Sequence, residues 1–225
     1  MNTYINHSGD LTGNGNPSTG ESQKSRKWLR SLLLVTLLSV GVVSYAGTIH
    51  DAARAGDLEQ IQRLVVKGVD VNEQTTRNET ALIIASLAGK GEVVHYLLQR
   101  GADIDARNSS GLSSLHAAAY AGHTEIVSLL VVKGAEVNDA ENRFGVTPLL
   151  LASEENHIKT VRELIKLGAD INVVEINGIN ATSKAGWREH WGVLKVLLAN
   201  GASCQEIEIA GDWLFQECTT RAKAN

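Results

Sequence analysis

The chain repeats itself every 33 or 34 residues, and no other feature constrains its fold as tightly. Glycines keep the phase at Gly68, Gly101, Gly134, Gly168 and Gly201. Around them run the strings LVVKGVDVN, LLQRGADID, LVVKGAEVN, LIKLGADIN and LLANGASCQ. A period of this length is that of a solenoid, in which each unit packs only on its neighbours. Such a stack offers a long surface rather than an enclosed pocket.

Setting the glycines in register aligns the rest of each unit. A small residue recurs at Ala52, Ala85, Ala118, Ala152 and Ala185. Four or five residues later come Gly56, Gly89, Gly122, Asn156 and Glu189. An apolar stripe at helical spacing follows, such as Val93, Val94, Leu97 and Leu98, or Ile126, Val127, Leu129 and Leu130. The pattern predicts two short helices per unit. The first is Ala-rich, so that neighbouring layers approach closely; the second supplies bulky aliphatic groups to a shared core. The phase-keeping glycine falls just past the second helix, where a left-handed residue ends a helix at low cost. Ten or eleven residues further on stand Asn78, Gly111, Gly145 and Gly178, which predict a tight turn in an exposed finger.

Composition narrows the function. Aromatic residues make up only 4% of the 225, which suits a thin core of Ala, Val, Ile and Leu. The net charge is −4, and residues 1–46 hold four basic and two acidic residues, so residues 47–225 carry about −6. A mildly acidic domain lacks the clustered Lys and Arg that a phosphate backbone requires, so no nucleic-acid partner is expected.

Residues 1–46 read as an export segment. A polar leader is followed by Lys24, Arg26, Lys27 and Arg30, then by an apolar run from Leu32 to Val43, then by Ser44-Tyr45-Ala46. Basic, apolar and small-x-small in that order describe a secretory signal, with cleavage expected after Ala46. The apolar core is short for a membrane span of about 20 residues. Uncharged sequence nevertheless reaches His50, so an uncleaved N-terminal anchor is the alternative, and membrane contact is expected only through this segment. Either reading places the repeats outside the cytoplasm, in the periplasm or beyond, because the basic cluster stays inside.

The openings of the units carry a family resemblance. Ser114-Leu115-His116-Ala117-Ala118 and Thr147-Pro148-Leu149-Leu150-Leu151-Ala152 resemble the ankyrin signature T-P-L-H-x-A, and Gly122-His123-Thr124-Glu125-Ile126-Val127 resembles the rest of that repeat. The resemblance spans residues 47 to about 212 with a single one-residue insertion near Asn142–Phe144. It implies an all-α ankyrin-repeat solenoid of helix-turn-helix units joined by β-hairpin-like fingers. The units are 47–79, 80–112, 113–146, 147–179 and 180–212. The first and fifth lack the Thr-Pro opening, as terminal units commonly do. Residues 213–225 fall in phase with a further first helix and are expected to form a capping half-repeat.

Residues that could suggest chemistry have plainer readings. His50, His116, His123, His157 and His190 sit at repeat positions where ankyrin-like units hydrogen-bond backbone between layers. HExxH, GxSxG and paired CxxC motifs are absent, so neither catalysis, metal nor cofactor is expected. Glu59, Glu92 and Glu125 open second helices, where a carboxylate complements the positive helix end. Cys204 and Cys218 allow two readings. In an oxidising compartment they could bridge the fifth unit to the capping half-repeat; otherwise they are two small buried residues.

The resemblance also implies where a partner binds. The position two residues after the buried Ala gives the row Arg54, Leu87, Tyr120, Glu154 and Trp187, which in the family faces the inner groove. Tyr120 and Trp187 are rigid, amphipathic anchors of the type that dominates interface energetics. The fingers add Arg77, Arg107, Arg143, Phe144, Val174 and Ile176, and Trp191 is expected to extend the patch around Trp187. The expected function is a monomeric, non-catalytic scaffold binding another protein through the concave face and finger tips. Alternatives are a periplasmic inhibitor or accessory protein of an exported enzyme, such as a phospholipase-type effector, and a membrane-anchored structural protein. Four N-x-S/T sequons occur, at Asn6, Asn78, Asn108 and Asn180. Glycosylation of Asn180 would intrude on a packed repeat opening, which favours a bacterial source.

Overall fold

The computed structural model describes residues 47–204 and 212–223. The expected leader and apolar segment, residues 1–46, lie outside the described residues. Among the described residues no helix is long and apolar enough to cross a membrane.

Eleven helices are described. They are α1 (Ile49–Ala55), α2 (Leu58–Val66), α3 (Ala81–Leu87), α4 (Gly91–Gln99), α5 (Ser114–Tyr120), α6 (Thr124–Val132), α7 (Pro148–Glu154), α8 (Ile158–Lys166), α9 (Ala181–Trp187), α10 (Trp191–Ala199) and α11 (Asp212–Lys223). Five pairs of a seven-residue and a nine-residue helix therefore repeat in register. Helices this short are marginal alone in water and owe their stability to packing. Each first helix packs on its own second helix and on the first helices of adjoining units, and successive second helices also touch.

The core follows the sequence register. Ala85, Ala118, Ala152 and Ala185 are fully buried, as small residues between close layers must be. Val94, Val127, Val161 and Leu194 are buried on the second helices, with Leu97, Leu130, Leu164 and Leu197 one turn on. Each such leucine contributes about 1.5–3 kcal/mol relative to exposure. First helices open on Thr80, Thr147 and Asn180, whose side chains accept a backbone N–H from the first turn. Gly134 closes α6 at φ 107°, a conformation that a side chain would strain.

The fingers are hairpin-like turns, closed by Thr75 N to Glu79 O at 3.0 Å, Asn108 N to Leu112 O at 3.0 Å and Glu175 N to Ile179 O at 2.9 Å; among the described residues the only bridge is the isolated antiparallel pair Gln74–Thr80. Asn78, Gly111, Gly145 and Gly178 take positive φ at the tips, as the spacing predicts. Neighbouring fingers are stitched by Ser109 N to Arg77 O at 2.8 Å, Arg143 N to Ser110 O at 3.4 Å, and Ile176 N to Phe144 O at 3.0 Å. At their bases Asn72, Asn138 and Asn172 accept backbone N–H groups from Asp103, Asp170 and Ser203 of the following unit. Asp105 stands at the same register and has no amide to donate.

The histidines divide into two groups. Across units, Nε2 of His123, His157 and His190 meets the carbonyl oxygens of Leu87, Tyr120 and Glu154 at 3.2, 2.9 and 2.9 Å. His50 and His116 instead meet carbonyls of their own unit's finger, Glu73 O at 2.8 Å and Val146 O at 2.9 Å. The between-layer reading therefore holds for three of the five.

At the C-terminal end, α11 packs against both α9 and α10. A disulfide joins Cys204 to Cys218, with Cα atoms 5.8 Å apart, and so fastens α11 to the end of the fifth unit. The Arg221 guanidinium lies 4.2 Å from the Trp191 ring centroid. Trp191 is packed against the core, so it does not extend an exposed patch around Trp187.

Candidate binding face

The first helices lie side by side, so equivalent positions on them form a row across the stack. Along that row Arg54, Leu87, Tyr120 and Trp187 are exposed and Glu154 is half-buried. Leu87, Tyr120 and Trp187 are 44%, 48% and 39% exposed, too much for core residues of their size. They end α3, α5 and α9, and the carbonyls of Leu87 and Tyr120 are held by the histidine bonds to the next unit. The side chains thus project from a backbone fixed on the far side. Among the described residues Arg54 has only a loose pair with Asp51 at 3.8 Å, both well exposed, worth little in water.

The fingers supply a second strip. Phe144, Val174 and Ile176 are exposed, and the bond between Phe144 O and Ile176 N places two of them side by side. The Arg143 guanidinium lies 5.9 Å from the Phe144 ring centroid. Arg77 is exposed at the first finger.

Two of the expected contact residues are committed inside the molecule. Arg107 Nη1 donates to both oxygens of Asp139 at 2.9 and 2.7 Å and to Gly111 O at 3.3 Å, and Nη2 reaches Glu141 at 3.3 Å. Asp139 is buried; burial alone would raise its pKa. The Arg107 guanidinium and the Glu141 backbone N–H outweigh that and hold the carboxyl below the usual aspartate range. Beside it, His116 Nδ1 lies 2.9 Å from Ser113 Oγ and 3.6 Å from Asp139 Oδ2. Burial pushes the His116 pKa down, against the pull of Asp139, so the close pair with Asp139 is not an ion pair at neutral pH.

Glu154 is the second. It accepts from Lys184 Nζ at 2.9 Å and Arg188 Nη2 at 2.7 Å, and Lys184 also pairs with buried Glu175 at 3.1 Å. Burial opposes the Glu154 charge, yet Lys184 and Arg188 hold its pKa below the ordinary glutamate value. Arg107 and Glu154 are therefore clamps between units, and a partner would have to break buried pairs to use them. The sequence reading missed Lys184, Arg188, Glu175 and Asp139. A signal existed: Lys184 occupies a register that is Ile84, Ala117 and Leu151 in the three middle units, one unit after the only acid in the row.

Two pairs of paired short helices would be ordinary; five in register, with an exposed apolar row on one side, define a repeat stack built to present a surface. The family model for ankyrin repeats in three copies matches residues 49–141, and the single ankyrin-repeat model matches residues 144–176. Together they cover more than half of the chain, which belongs to the ankyrin-repeat family. The matches stop before the fifth unit, whose α9 and α10 repeat the same helix lengths. A search of curated proteins finds no match to the chain. Ankyrin repeats form a protein–protein interaction module, which sets the class of function here.

Proposed function

We propose that this chain is an exported, non-catalytic scaffold that binds another protein through its first-helix row and finger tips. The observation that carries the reading is the row of Leu87, Tyr120 and Trp187, large side chains left in water on a rigid backbone. With Arg107 and Glu154 assigned to clamps, the contact set narrows to Arg54, Leu87, Tyr120 and Trp187, with Arg77, Arg143, Phe144 and Ile176 from the fingers. Trp, Tyr and Arg are the residue types that carry most binding energy at protein interfaces.

Export is supported by the order of basic cluster, apolar run and Ser44-Tyr45-Ala46, and by the disulfide, a bond that persists in oxidising compartments. Asn180 is fully buried, with its amide on Ser203 O at 3.2 Å, so glycosylation there is incompatible with the packed unit. That supports a bacterial envelope. Affinity capture of the C-terminally tagged chain from the envelope fraction, with N-terminal sequencing of the product, tests the proposal. One stoichiometric exported protein and a chain beginning at Gly47 are the expected results. A chain that keeps residues 1–46 and brings down no protein would replace it with the membrane-anchored reading.

A further inference from the structure

The interior and the C-terminal end of the stack are covered differently. Each interior first helix has another first helix on either side and its own second helix behind it. α9 has α7 on one side, and α11 covers the other while also resting on α10. Yet α11 brings little apolar surface from Gln216 onward. Gln216, Thr220, Arg221 and Ala222 are exposed and Thr219 is half-buried; among the described side chains of α11 only Cys218 is buried. The buried residue among those described is the one that is covalently bonded.

We propose that the Cys204–Cys218 disulfide is a redox-operated latch on the C-terminal helix. A dithiol reductant opens it, α11 leaves α9 and α10, and the end of the stack becomes a free edge. Cys204 is partly exposed and Cys218 buried, so the reductant's thiolate attacks Cys204 Sγ. The S–S bond breaks and Cys218 leaves as a thiolate that takes up a proton. The reductant's second thiolate then attacks its own sulfur in the mixed disulfide and releases Cys204 as a thiol. Two electrons pass from the dithiol, which ends as a disulfide. Opening returns to the chain the loop-closure freedom of a 14-residue separation. Because α9 ends in Trp187, the latch also sets the order of the last part of the binding row.

Hydrogen exchange on the full chain, oxidised and then reduced with dithiothreitol, tests this, with the Cys204→Ala variant as a bond-free protein that keeps the Cys218 packing. In both bond-free states the α11 amides should lose protection roughly a hundredfold. α9 and α10 should follow in part, α5 and α6 should stay unchanged, and reoxidation of the wild-type chain should restore the starting pattern. Retained protection of α11 without the bond would overturn the latch and make the disulfide a passive staple. Equal loss in α5 and α6 would overturn it too, by showing that the bond supports the whole stack.

Discussion

The third and fifth units have the same two helix lengths and nearly the same register, yet they are held together by different means. The third lies between two like units. Ala118, Val127 and Leu130 are fully buried by neighbours of matching shape, and the His157 bond to Tyr120 O comes free with the next repeat. The fifth has a like unit on one side only. It opens on Asn180 rather than Ser or Thr-Pro, carries Lys184 in an apolar register, and relies on a helix tied by a disulfide. Both units add a charge clamp to apolar matching, Arg107–Asp139 at the third and Glu154–Lys184 at the fifth; where repetition stops, the chain adds a covalent bond.

The largest break in that contrast is a charge between interior layers. Ala118→Arg places an unpaired guanidinium in a contact with no room and no partner, and loss of the cooperative melt is expected. A melt near wild type would show that Ala118 is not interlayer. Next, Leu130→Ala and Leu197→Ala remove the same side chain from the third and fifth units. A buried Leu→Ala costs about 2–5 kcal/mol. The interior change uncouples neighbours on both sides and should lower the midpoint of the whole stack, whereas the terminal one should act mainly on exchange in α9–α11. Equal and uniform effects would erase the distinction between interior and end.

The clamps come third. Arg107→Ala leaves the Asp139 carboxylate buried without its main partner and should cost about 3 kcal/mol by denaturant titration. Acid should show the same carboxylates from the other side. His116 has a pKa lowered from 6.5 on folding, so the unfolded chain binds the extra proton and stability starts to fall as pH drops below about 6.5. Asp139 and Glu154 are lowered from 3.8 and 4.5, so their contribution is whole above those values and is lost as pH falls through the folded-state pKa below them. Asp139→Asn should flatten the most acidic limb of the stability–pH curve and leave the limb near pH 6.5; an unchanged curve would deny the clamp its charge.

Much of this was legible in the sequence because a solenoid turns spatial neighbours into residues one period apart. The glycines, the buried Ala column and the aliphatic second helices follow from register alone, whereas the exposed row followed from the family resemblance. The clamps follow the same rule at one remove. Arg107 and Asp139 are 32 residues apart, Glu154 and Lys184 30, Glu154 and Arg188 34. A charge one period from its opposite is thus a candidate pair, but nearness to a full period does not say whether the side chains turn toward each other or toward water. The stitching between fingers escaped the sequence for a related reason. Within a finger the bonds Thr75 N to Glu79 O, Asn108 N to Leu112 O and Glu175 N to Ile179 O close the turn, whereas the bonds to adjoining fingers and to Asn72, Asn138 and Asn172 have partners that no single finger displays in its own sequence. The cap lay in phase, but a residue pair 14 apart follows no period, and its bond was visible only once α11 was placed.

The most direct test of the central claim is the Tyr120→Ala/Trp187→Ala double variant, measured for thermal unfolding and for partner capture in one preparation. If the exposed row is a binding face, the melt should stay within about 1 kcal/mol of wild type, as for surface changes. Capture should meanwhile fall by well over tenfold, since anchors of this kind are worth about 2 kcal/mol or more each. A large drop in stability with the partner still bound would contradict the account and return both side chains to the core.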